Sequence, residues 1–169
     1  MKRILSLVAI ILMIAAANAQ TLQSLFDKYS SDERFTYVTL GSGSLNMVNI
    51  LGNNKHNHKA DIASKMKTMK ILTINEEAGL ALLKSVDQEF EKAISAGKFE
   101  TAVEARDKGE QVRIFYRINS NKDADMLILT RDKSEFSVIW ISGKMSREDM
   151  LHTFSKNMIE EYSEAYIIS

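Results

Sequence analysis

His56-Asn57-His58 places two imidazoles two residues apart in a polar stretch. In an extended segment such residues point to the same side, so both could reach one cation. A structural zinc site takes four protein ligands and a catalytic one three. Asp61 is the nearby carboxylate, cysteine is absent, and His152 lies far along the chain. The pair His56 and His58 is thus an incomplete ligand set in what reads as a solvated loop, and no metal or cofactor is expected. Gly41-Ser42-Gly43-Ser44 is a second candidate: it follows one apolar segment and precedes another, where backbone N–H groups at Ser42, Gly43 and Ser44 could hold an anion. Asn46 stands where a dinucleotide fingerprint needs its third glycine, so the expected reading is an ordinary turn.

Asn119 to Asp125 resembles the first half of a calcium loop, but Ala124 occupies the glycine position and Thr130 the place of the bidentate glutamate. A polar hairpin loop is expected instead. There is no G-x-S-x-G, no H-E-x-x-H and no cysteine nucleophile. Glu76-Glu77 and Glu160-Glu161 read as solvated helix faces, while Tyr162 and Tyr166 read as packing residues. Catalytic residues cannot be named.

The elements that must position these groups follow from periodicity. Leu22, Leu25, Phe26 and Tyr29 make one helical stripe. Phe35 to Leu40 reads as a strand, and Ser44 as the cap of a helix carrying Leu45, Val48 and Leu51. Asn53 to Lys59 is a loop, a helical stretch covers Ile62 to Met66, and Met69 to Ile74 is a strand. Asn75 is expected to cap the longest helix, with Glu76 and Glu77 in its first turn and Gly97 at its end. From Phe99 onward the rhythm changes to period two: four strands, ending with Phe136 to Ile141, joined by hairpin-length links. Trp140 is expected to be largely buried on the core face with Phe136 and Val138. Ser146 caps a last helix bearing Met150, Leu151, Phe154 and Met158, with Asp149 at the capping-box position. The fold class is α+β: a mainly antiparallel sheet with a C-terminal four-strand meander and helices on one face.

The first nineteen residues have another purpose. Lys2 and Arg3, the apolar run Ile4 to Ala16 and Ala17-Asn18-Ala19 form the layout of a secretory signal peptide. Its removal leaves one domain, residues 20–169, and turns a net charge of 0 into −2. That balance gives no basic excess for nucleic acid. The lack of cysteine excludes both disulfides and a lipid anchor on a cleavage-site cysteine. A soluble periplasmic or extracellular protein without a membrane span is expected.

Phe26-Asp27-Lys28-Tyr29, Tyr37-Val38, Lys70-Ile71-Leu72, the turn Asp107-Lys108-Gly109-Glu110 leading into Val112-Arg113-Ile114-Phe115, and Glu135-Phe136 running to Ile141 and Gly143 occur in an order and spacing that resemble the domain of unknown function family 4252. These are exported proteins of Bacteroides-type bacteria, some of them lipoproteins, loosely associated with extracytoplasmic-function sigma factors. The resemblance implies an envelope role and carries no catalytic residues. The reading is a non-catalytic exported domain that binds a partner protein or small ligand. The alternative is a hydrolase-like periplasmic enzyme using scattered carboxylates or tyrosines. Export is checked by N-terminal mass analysis of protein from the envelope fraction. Cleavage after Ala19, giving Gln20 as first residue, is expected, and a cytoplasmic chain that keeps Lys2 contradicts it.

Overall fold

The structure is a computed structural model and describes residues 21–45, 64–119 and 123–149. The expected signal peptide, the helix beyond Leu45, the His56 loop and the last helix beyond Asp149 lie outside these residues.

Helix α1 (Leu22–Ser30) is capped by Thr21, whose hydroxyl accepts from the Ser24 N–H at 3.1 Å. Strands β1 (Thr36–Gly41) and β2 (Met66–Asn75) follow. Then come a single 3₁₀ turn (Glu76–Ala78) and helix α2 (Leu80–Ala96). Strands β3 (Glu100–Asp107), β4 (Glu110–Ile118), β5 (Ala124–Arg131) and β6 (Glu135–Gly143) complete the set. All neighbours are antiparallel in the order β1-β2-β6-β5-β4-β3. The α+β class and the C-terminal meander are therefore as expected from the sequence. The hairpin β1–β2 continues the sheet beyond β6.

Two boundaries differ from expectation. The long helix starts at Leu80, because Gly79 before it sits at φ 94°, outside helical space. Asn75 still caps, but it caps the 3₁₀ turn: its side-chain oxygen accepts from the Glu77 N–H at 3.2 Å. The stretch expected to be helical up to Met66 gives way to strand there, since Met66 pairs with Gly143 across a register shift. A Cβ on Gly143 would fall 2.3 Å from the Lys65 carbonyl oxygen, so β2 can approach only a glycine at that point.

Both described helices lie on one sheet face. Leu25, Phe26, Val86 and Phe90 pack there against Leu72, Leu127, Phe136 and Val138. Phe90 is the hub, 5.7 Å from Phe26, 5.9 Å from Phe136 and 6.4 Å from Tyr29 between ring centroids. Trp140 shares this face with Phe136 and Val138, as expected, but is only half-buried. The opposite face has its own apolar cluster around Ile114, Met126, Ile141 and Met145. Register aligns Val38, Ile71, Ile139, Ile128, Ile114 and Val103 in one row across all six strands of that face. Beside it runs the row Leu40, Met69, Ile141, Met126, Tyr116 and Glu100.

Replacing Phe90 by Ala removes the ring that joins α1, α2 and the sheet. The expected loss is about 3–5 kcal/mol, read from denaturant unfolding. A loss under about 1 kcal/mol contradicts the packing described.

Candidate functional site

Asp125 sits on β5 among core residues and is 4% exposed. Antiparallel register places it opposite Arg117 of β4 and Ser142 of β6. A buried carboxylate is tolerated only when hydrogen-bonded and paired. Oδ1 accepts from the Ser142 hydroxyl at 2.6 Å and from the Trp140 indole N–H at 3.2 Å. Oδ2 accepts from Arg117 Nη2 at 2.5 Å and from Asn119 Nδ2 at 3.0 Å. An ionised carboxylate has about four lone-pair sites, so these four donors saturate it. Burial pushes the carboxyl up, but the bonds from Ser142, Asn119, Arg117 and Trp140 together outweigh burial and hold it below its ordinary value.

Arg117 carries the network outward. Its Nη1 donates to the Gly97 carbonyl at the C-terminal end of α2, 3.0 Å away, where the helix dipole favours a cation. The guanidinium lies 4.4 Å from the centre of the Phe99 ring. The Trp140 ring lies 4.8 Å from the Lys70 ammonium and 5.5 Å, tilted, from Phe26. Lys70 in turn donates to Gln23 on α1 at 2.8 Å.

Above Arg117 and Trp140 opens a cleft of about 300 Å³ between the start of α1 and the end of α2. Leu22, Ala93, Ala96 and Phe99 supply apolar walls. The volume is at the lower end of ligand sites. Each terminal nitrogen of Arg117 still has a second N–H to offer a ligand oxygen. The arrangement can bind a small, partly apolar group bearing an oxygen acceptor. The residues that line it include no serine, cysteine or histidine, and Ser142, whose hydroxyl donates to Asp125, is not among them.

Among the described residues the other buried carboxylate, Asp87 on α2, is likewise committed. It accepts from Arg113 at 3.0 Å and Arg131 at 2.5 Å, and Arg113 also pairs with Glu91. This clamp holds α2 to β4 and β5.

The residues singled out from sequence are not brought together. Ser42, Gly43 and Ser44 lie in the first turn of a helix that begins at Ser42, two residues before the cap expected at Ser44, and Gly43 is exposed. His56 and His58 lie outside the described residues. Of the calcium-like stretch, Asp123 pairs with Lys67 at 2.5 Å, Ala124 is fully buried, and Asp125 turns into the core. Among the described residues no cluster of three or more His, Cys, Asp or Glu could hold a metal. The sequence reading missed Asp125, Arg117 and Trp140 as a unit. The signal that could have found them is register: a hairpin pairing Ile118 with Ala124 puts Arg117 across from Asp125.

Residues 29–152 match the sequence model of a family described as Domain of unknown function (DUF4252). No curated protein and no solved structure matches the chain.

Asp125→Ala leaves four donors without their acceptor, among them Arg117, whose side chain is 31% exposed, and is expected to cost about 1–3 kcal/mol at neutral pH. The carboxyl titrates lower in the folded chain than in the unfolded one. Its contribution is therefore complete above about pH 3.9 and is lost as pH falls through the folded value. Unfolding free energies measured for both proteins should keep a constant gap from neutral down to mild acid, then converge. A gap that widens in acid contradicts the assignment.

Proposed function

The chain belongs to the DUF4252 family, and on that footing we propose that it is a non-catalytic binding module, exported to the cell envelope, whose cleft over Arg117 and Trp140 takes a small ligand. The observation that carries this reading is the state of the site's charges. The apolar cleft ends on a guanidinium, and the carboxylate beneath it is saturated by its own neighbours. General base catalysis needs an acceptor within reach of the substrate proton. Asp125 has no acceptor position left to give. Its role is to fix Arg117 and Trp140, which makes it a positioning residue for the site.

The ligand chemistry follows from the walls. A flat or short apolar body fits beside Phe99 and Leu22, and a carboxylate, sulfonate or carbonyl oxygen can meet the Arg117 N–H groups. Export is supported by the leader-like layout of residues 1–19.

Trp140 is the single tryptophan, so intrinsic fluorescence reports on the cleft. Anilinonaphthalene sulfonate, aromatic and anionic, is the probe. It should quench Trp140 saturably, with one site per chain. Ala96→Phe, which fills the cleft from its wall, should abolish that quenching while circular dichroism is unchanged. Quenching that survives Ala96→Phe, or none at all, overturns the binding site. Hydrolysis of a nitrophenyl ester above the buffer rate would favour the enzyme reading instead.

A further inference from the structure

The two edges of the sheet are built differently. At one edge, β3 carries Glu104, Arg106 and Asp107, and its pairing slips between Thr101 and Val103. Charges and bulges are how native edge strands avoid pairing with other chains. At the other edge, β1 reads Thr36-Tyr37-Val38-Thr39-Leu40-Gly41, with no charge and no proline. It pairs with β2 without a slip from Thr36 to Gly41, and among the described residues it pairs with no other strand. Thr36 and Thr39 are exposed. Val38 is 40% exposed, one of two large hydrophobic residues so open among the described residues, and it ends the apolar row that crosses all six strands.

We infer that the β1 edge pairs antiparallel with the β1 edge of a second copy of this chain, about a two-fold axis midway between Thr39 and Thr39 of the other copy. Opposed residues in such a pair point to the same face, so one residue must lie opposite its own symmetry mate. With Thr39 so placed, Val38 meets Leu40 of the other copy at both ends, apolar against apolar on one face. On the other face, Tyr37 covers Gly41 of the other copy twice, an aromatic ring over a glycine, and Thr39 meets its own symmetry mate. The next residue with a charge, Arg34, falls opposite Ser44, so no like charges meet. The uncharged edge is thus complementary to itself, which is what an isologous contact requires. The resulting sheet has twelve strands, and its row of Val and Ile side chains continues through Val38 into Leu40 of the second copy. The contact is small, so the dimer should dissociate on dilution into the low micromolar range.

The protein has no native cysteine, so a single introduced thiol reports on the contact. In the untagged protein, Thr39→Cys should form a disulfide-linked dimer under mild oxidant, because directly opposed residues lie within disulfide reach, about 4.5–5.5 Å between Cα atoms. Glu104→Cys, on the other edge, should not. Sedimentation velocity should show a concentration-dependent dimer for the unaltered chain and a monomer for Thr39→Lys, with the melting temperature little changed. A folded Thr39→Cys protein that stays monomeric under oxidant overturns the proposal. So does equal cross-linking at Glu104→Cys, or a dimer that persists in Thr39→Lys.

Discussion

A carboxylate taken almost wholly out of water must be matched donor for donor, and that constraint on Asp125 shapes the site. An ion this size would cost several kcal/mol to bury unpaired. The cost is offset by bonds from three strand residues and Asn119. Each donor is then no longer free to move. Arg117 is held so that its other terminal nitrogen reaches Gly97, which ties the end of α2 to β4. Trp140 is held by its indole N–H, which sets the ring against Phe26 on α1. The start of α1 and the end of α2 thus stand over a fixed floor, and the cleft is the space between them.

The remaining polar clamps follow the same logic at lower stakes. Asp87 receives two arginines and anchors the middle of α2. Glu89 joins α2 to α1 through Lys28 at 2.7 Å and the Tyr29 hydroxyl at 2.9 Å. The Lys28 pair is half in water and adds little stability. Its effect is orientation, since α1 is only nine residues long and depends on packing to persist. The bulk of the stability comes from the apolar layer around Phe90, aliphatic and aromatic together.

The strands were legible because alternation is a strong local signal: Val112, Ile114, Tyr116 and Ile118 occupy one face of β4 as the pattern required. The capping box was legible too. The Ser146 N–H donates to Asp149 at 2.8 Å, and the Asp149 N–H donates to Ser146 at 3.1 Å. The start of α2 was not, because Asn75 is a good cap residue and only the backbone at Gly79 decides against continuing the helix. The site was not legible either. Asp125 looked like part of a polar loop, and what makes it a hub is the pairing of three strands, with donors from positions 117, 140 and 142. Local sequence carries no direct signal for such a cross-strand assembly. Nor does it distinguish β1 from β3 as edges until the strand order is known.

The central claim is that Asp125 stays ionised and saturated inside the fold. The direct measurement is the carboxyl ¹³C shift of Asp125, followed by NMR as pH is lowered. A midpoint below the ordinary aspartate value of about 3.9, or no titration before unfolding, is expected. A midpoint raised above that value would mean that burial outweighs the four donors. Asp125 would then be a carboxyl poised to exchange a proton, and the case against catalysis at this cleft would fail.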